Sequence, residues 1–183
     1  EPVSVKEFRN TKIDILEHTA IILTSRNAVD NFFRMCEELK LEVPTSMKYF
    51  CISEQTAYYL QKYIVLRKRK LFTGVRTAAD LIDVIDKNKG EKFLFPCSNI
   101  RKDDIPDFLT KNGFDFTEAS FYRTVASDLS DLADIKYDVI AFFSPSGIHS
   151  LFKNFPEFKQ GNTRIAVFGP TTAKAAQDAG LIA

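Results

Sequence analysis

Short apolar runs alternate with amphipathic segments along almost the whole chain. The run AIILT at 20–24 is brief and β-branched, the pattern of a strand buried on both faces. It is followed by NAVDNFFRMCEELK (27–40), in which Ala28, Val29, Phe32, Phe33, Cys36 and Leu39 recur at helical spacing and form one apolar face. The same couplet returns five times. KYFCI (48–52) precedes TAYYLQKY (56–63), KLF (70–72) precedes TAADLIDVIDKN (77–88), and KFLFP (92–96) precedes DDIPDFLTKNG (103–113). DVIAFF (138–143) leads into a helix from Pro145, and RIAVF (164–168) into a helix from Pro170. ASFYRTV (119–125) alternates and predicts a longer linking strand. Thr77 with Asp80 forms a variant capping box, Asp103 and Asp104 suit a helix dipole, and Gly113 suits a C-cap.

Strands alternating with helices predict an α/β fold with parallel sheets covered on both faces and right-handed connections. In such sheets ligands bind beyond the carboxyl ends of the strands. An internal repeat sharpens the expectation. IILTSRNAVDNFF (21–33) aligns with IAFFSPSGIHSLF (140–152), setting Ser25 on Ser144, Ala28 on Gly147 and Phe33 on Phe152. KYFCISEQTA (48–57) aligns with RIAVFGPTTA (164–173) at a nearly equal offset, setting Thr56 on Thr172. The reading is two similar doubly wound parallel-sheet domains. The second copy ends at Ala183, one helix after Thr172. Either the N-terminal segment, with its β-like PVSV and one helix, supplies the remaining material, or the sequence is a fragment.

Composition narrows the function classes. The chain has 183 residues, 45% hydrophobic, and a net charge of +1, without the basic excess of a nucleic-acid binder. The one basic run, RKRK at 67–70, reads as a solvated strand edge or turn. No apolar run approaches the roughly 20 residues that span a bilayer. Cys36, Cys51 and Cys97 are odd in number and lack CxxC spacing, which suits a reducing compartment. His18 and His149 have no metal-ligand spacing with any cysteine, so no metal is expected, and His149 reads as an exposed helix residue. Phosphate-loop, nucleophile-elbow and zincin motifs are absent.

The strand ends share a chemistry. They carry Thr24 and Ser25; Ser53 with Thr56; Cys97, Ser98 and Asn99; Ser144 with Ser146 and Gly147; and Gly169, Pro170, Thr171 and Thr172. Each precedes a helix start, where unpaired N–H groups and a partial positive charge favour anions. The same residues are ordinary N-caps, so each loop alone reads first as capping. Five on one edge point to carboxylate or phosphate binding.

Six segments, taken in order, resemble the uroporphyrinogen-III synthase family: ILTSRNAVDNFF, ISEQTAYYL, FLFPCSNIRKDDIPDFLTKNG, FYRTV, FFSPSGI and FGPTTAKAAQDAGL. SRNAV, SPSG and GPTTA match the family most closely; Ser53 stands where a glycine is commoner. The resemblance implies two α/β domains joined by a two-stranded linker, one domain discontinuous, with the site in the cleft between them. On that pattern residues 1–10 and 127–183 form one domain, 18–117 the other, and 11–17 with 118–126 the linkers; a first and a last strand–helix unit of the discontinuous domain are absent.

The resemblance also implies a reaction. The family closes hydroxymethylbilane, a linear tetrapyrrole with eight carboxylates, into uroporphyrinogen III with inversion of ring D. It uses neither metal nor organic cofactor, and a cytoplasmic, monomeric enzyme free of nucleic acid and membrane is expected. Substrate contacts are assigned to Thr24, Ser25, Arg26, Ser53, Thr56, Cys97, Ser98, Asn99, Ser144, Ser146, Gly147, Thr171 and Thr172. Tyr122, in FYRTV, matches the family's tyrosine near the cleft and is the expected acid that helps the terminal hydroxyl leave. The competing reading is a two-domain module that binds an anionic ligand, or regulates, without turnover.

Overall fold

A computed structural model describes residues 1–183, which divide into two compact units, Glu1–Thr124 and Val125–Ala183. The first unit is built on five parallel strands: β1 (Ala20–Leu23), β2 (Lys48–Cys51), β3 (Leu71–Thr73), β4 (Phe93–Ser98) and β5 (Phe116–Tyr122). Their spatial order is β3-β2-β1-β4-β5. Between and before them run α1 (Val5–Asn10), α2 (Arg26–Glu38), α3 (Glu54–Tyr59), α4 (Ala78–Asp86) and α5 (Asp104–Lys111).

The continuous apolar runs follow from burial on two faces. Side chains alternate across a strand. Ile21 and Leu23 therefore enter one core with Val29, Phe32, Met35, Tyr49 and Cys51, while Ala20 and Ile22 enter the other with Phe50, Phe93, Leu81 and Ile85. α2 buries Ala28, Val29, Phe32, Met35 and Cys36, the stripe that its spacing predicts. Phe50 stacks on Phe72 at 4.6 Å and meets Phe93 edge-on at 5.1 Å. Burial pushes the thiols of Cys36 and Cys51 up to about 12, so both act as small apolar groups. The basic run lies in a 3-10 turn, Lys68–Lys70, that feeds the edge strand β3, as expected of a protected edge.

The N-terminal segment packs differently from the expected division. Residues 1–10 were assigned with 127–183, yet Val3 and Phe8 are buried in the first unit's core. The Val3 N–H donates to Phe121 O at 3.0 Å, the Phe8 ring lies 5.0 Å from that of Phe121, and Arg34 donates to the carbonyls of Val3 and Phe121. Two apolar side chains and an arginine bridging two backbone carbonyls hold this segment on α2 and β5. Residues 118–122, expected in a linker, belong to β5, and Ile15, in the other expected linker, is a core residue. Pro2 pairs antiparallel with Tyr122 through an isolated bridge.

The second unit has two parallel strands, β6 (Val139–Phe142) and β7 (Arg164–Val167), with α6 (Pro145–Asn154) and α7 (Pro170–Asp178). Its core gathers Phe142, Ile148, Leu151, Ile165, Ala176 and Leu181. No helix of the chain is long and apolar enough to cross a membrane.

Gly74, just after β3, marks the tightest backbone approach. A Cβ built there would stand 2.9 Å from Leu81 N and 3.0 Å from Ile52 O, both backbone atoms. Gly74→Ala is expected to cost about 1–3 kcal/mol of stability, as overpacking does. Urea unfolding should show a lower midpoint at an unchanged slope; an unchanged midpoint would mean that β3 and α4 separate without cost.

Candidate functional site

The order of the first sheet sets where its site lies. The chain leaves β1 toward β2 and β3, then returns to place β4 and β5 on the other side. The strand order reverses between β1 and β4, and their carboxyl ends flank the crevice that such a reversal opens. There β1 ends at Leu23, followed by Thr24 and Ser25, and β4 ends at Ser98, followed by Asn99. β5, paired to β4 with Ser98 opposite Tyr122, brings the tyrosine to the same edge.

Four hydroxyls and one amide meet at this point. Ser25 Oγ lies 3.4 Å from the Tyr122 hydroxyl and accepts the Ala28 N–H at 3.0 Å, capping α2. Ser98 Oγ donates to Asn99 Oδ1 at 2.9 Å and lies 3.1 Å from Thr124 Oγ1; Asn99 Oδ1 also accepts the Thr124 N–H at 2.8 Å. Thr124 was not among the expected residues. Its signal was present in FYRTV, two positions beyond Tyr122 and hence on the same side of an extended chain. Arg26 opens α2 with its guanidinium 5.4 Å above the ring of Tyr59. Tyr59 and Tyr63 in turn donate to Asp30; burial raises the Asp30 pKa, but the bonds from Tyr63, Tyr59 and Lys62 together hold it below its usual value.

Other expected residues separate by environment. Ser53 caps Thr56 N–H at 3.3 Å and lies 3.3 Å from the buried Thr56 hydroxyl. Thr24 is half-buried at the end of β1. Cys97 stands apart from the hydroxyls: its side chain lies in the core with Phe93 and Phe95, its Sγ donates to Ala119 O, and burial raises its pKa.

The end of β3, not among the five strand ends singled out in the sequence, joins the first sheet's row. Thr73, Gly74 and Arg76 line an open hollow of about 710 Å³ with Ser53, Glu54 and Gln55, beyond the ends of β2 and β3. Arg76 is exposed and in no ion pair, a free cation in a strand-to-helix loop.

In the second unit, Phe142 pairs with Val167, so the loops after β6 and β7 leave the sheet side by side. Ser144 Oγ bonds Ser146 Oγ at 2.8 Å and makes no cap to its own helix. Gly169 heads α7 at φ +85°, a conformation that favours glycine, and open space surrounds the place a Cβ would take. Thr171 is exposed; Thr172 is buried. His149 is exposed, as expected. An apolar hollow of about 630 Å³, lined by Leu132, Ile135, Tyr137, Ile140 and Phe158 among others, touches only Gly147 of the expected residues and lacks the row's hydroxyls.

The chain's fold is similar to that of the uroporphyrinogen-III synthetase of Helicobacter pylori, at 23% identity and a TM-score of 0.64 over 93% of this chain and 77% of that one. It is also similar to a mutant uroporphyrinogen III synthase of the extremely thermophilic bacterium Thermus thermophilus, at 16% identity and a TM-score of 0.62 over 99% of this chain and 77% of that one. The family model described as uroporphyrinogen-III synthase HemD matches residues 2–183, almost the entire sequence, and the chain belongs to that family of cyclising lyases.

Proposed function

We propose that this chain carries out its family's reaction, closing hydroxymethylbilane to uroporphyrinogen III with inversion of ring D and release of water. The observation that carries this reading is the meeting of Ser25, Tyr122, Ser98, Asn99 and Thr124 where the strand order reverses, in a chain matched to the family from residue 2 to residue 183. Glu1–Thr124 and Val125–Ala183 correspond, on this reading, to the family's two α/β domains.

Loss of the terminal hydroxyl leaves an electrophilic azafulvene. The substituted carbon of ring D attacks it, giving a spiro intermediate that fragments and recloses with that ring inverted. In water the bilane closes without inversion, so the protein's task is to select a conformation. Helix N-termini and hydroxyls in each unit hold carboxylates, with Arg26 and Arg76 adding positive charge. Fixing both reacting ends supplies the orientation that a free chain lacks.

Tyr122 is the candidate acid. Ser25 Oγ already accepts the Ala28 N–H, so its own proton is free to go to the Tyr122 oxygen. That arrangement leaves the phenolic proton available to the departing hydroxyl. Ser98, Asn99 and Thr124 hold the adjacent loop ends together and position the tyrosine's strand.

Generating hydroxymethylbilane in situ, adding the chain, oxidising the products and separating isomers I and III tests the reading. Isomer III in excess is expected; isomer I alone would leave a ligand-binding module. Tyr122→Phe should slow single-turnover formation of isomer III by about 10²-fold, the low end for general acid catalysis, without abolishing it. An unchanged rate would remove Tyr122 from the chemistry.

A further inference from the structure

Two phenylalanines lie uncovered at the carboxyl ends of the second unit's strands. Phe143 follows β6 and is 73% exposed; Phe168 follows β7 and is 57% exposed. They are not scattered surface residues, which would need no explanation. The Phe168 N–H donates to Phe142 O at 3.0 Å, carrying the ladder one step past the strands and setting the two rings side by side. Their centroids are 4.6 Å apart and their planes 10° apart. With Phe168 covering one face, Phe143 still leaves most of its surface open. Core formation does not explain the pair, because the unit's core gathers Phe142, Ile148, Leu151, Ile165, Ala176 and Leu181 without it.

The surroundings state what kind of molecule fits. Each ring is followed at once by a polar loop: Ser144 with Ser146 after Phe143, and Gly169 after Phe168. The first unit's Ser25, Ser53 and Thr77 each cap their own helix, whereas α6 and α7 have no side-chain cap. Thr172, in the first turn of α7, is 3% exposed and its hydroxyl makes no hydrogen bond within the protein. Gly169 leaves the backbone beside Phe168 open. A flat ring with anionic arms complements such a surface. An aliphatic chain would bury the rings but leave the polar loops beside them without a partner, and a plain phosphate would gain nothing from their exposed faces.

We propose that Phe143 and Phe168 form an aromatic platform for one pyrrole ring of the bilane, with that ring's carboxylate arms reaching the first turns of α6 and α7. This assignment rests on the synthase reading, and it names a contact of carbon with carbon where the strand-end hydroxyls supply only polar ones. The platform fixes the plane of a ring and the first turns fix its arms, so the ring is held in rotation as well as in place.

The test compares the full chain with two double variants. Phe143→Leu with Phe168→Leu keeps apolar bulk and removes the rings; Phe143→Tyr with Phe168→Tyr keeps the rings. The probe is uroporphyrin III, a flat tetrapyrrole octacarboxylate, titrated by its absorbance, alongside KM for hydroxymethylbilane. The leucine pair is expected to raise both Kd and KM roughly three- to tenfold, the worth of one aromatic stack, and the tyrosine pair to stay near the unaltered chain. Both rings are exposed, so unfolding temperatures should match. Should the leucine pair unfold early, the comparison passes to the tyrosine pair, whose weakened binding would overturn the platform. Unaltered Kd and KM in a folded leucine pair would overturn it while isomer III still formed. Loss of isomer III in the unaltered chain would overturn the synthase reading instead, and the uroporphyrin titration would still decide the platform.

Discussion

Parallel strand pairing in register is the constraint from which the rest of the molecule follows. Once Leu23 lies opposite Cys51 and Cys51 opposite Thr73, every chain leaving the sheet does so at one edge, and each helix that follows a strand begins there. Six strand-to-helix junctions therefore present their N-termini on the carboxyl side of a sheet, four in the first unit and two in the second. A helix N-terminus is electropositive because its first N–H groups have no partner within the helix. The backbone alone thus creates sites for anions, and the side chains decide which of them remain free.

That decision differs between the helices, and α5 of the first unit, like α6 and α7, has no side-chain cap. Ser25, Ser53 and Thr77 satisfy N–H groups of their own helices, and the Thr77–Asp80 capping box is complete, with hydrogen bonds from Thr77 and from the Arg76 backbone holding the Asp80 carboxyl below its usual range. Polar readiness in the first unit comes instead from the hydroxyl cluster around Tyr122 and from the cations Arg26 and Arg76. In the second unit Ser144 turns to Ser146, Gly169 has no side chain, and neither α6 nor α7 has a side-chain cap. A substrate with many carboxylates and no fixed shape suits both solutions, since each grips charge without needing a reactive nucleophile.

Much of this was legible in the sequence because the two-faced sheet writes itself as continuous apolar runs. AIIL at 20–23 feeds both cores by alternation, and the stripe of α2 falls where its spacing requires. The strand-end hydroxyls were legible for the same reason that caps are: they sit at fixed places beside helix starts. Local pattern could not show which segment Val3 and Phe8 would join, because two apolar side chains fit many cores; the Val3 N–H bond to Phe121 O and the bridge from Arg34 to two carbonyls settle it. Nor could it separate Cys97 from Ser98, adjacent in sequence but on opposite faces of β4, one in the core and one among the hydroxyls. Arg76 and Thr124 were missed because the loop after the short strand KLF carried no hydroxyl-rich signature and FYRTV was read for its tyrosine alone.

The most direct measurement is backbone amide mapping of the isotopically labelled chain during titration with uroporphyrin III. Shifts are expected to concentrate at Ser25–Ala28, Ser53–Thr56, Gly74–Thr77, Asn99, Ser144–Ile148 and Gly169–Thr172, where N–H groups face the carboxylates. Shifts confined to surfaces away from these strand ends, or none at saturating ligand, would contradict the view that helix beginnings hold the substrate.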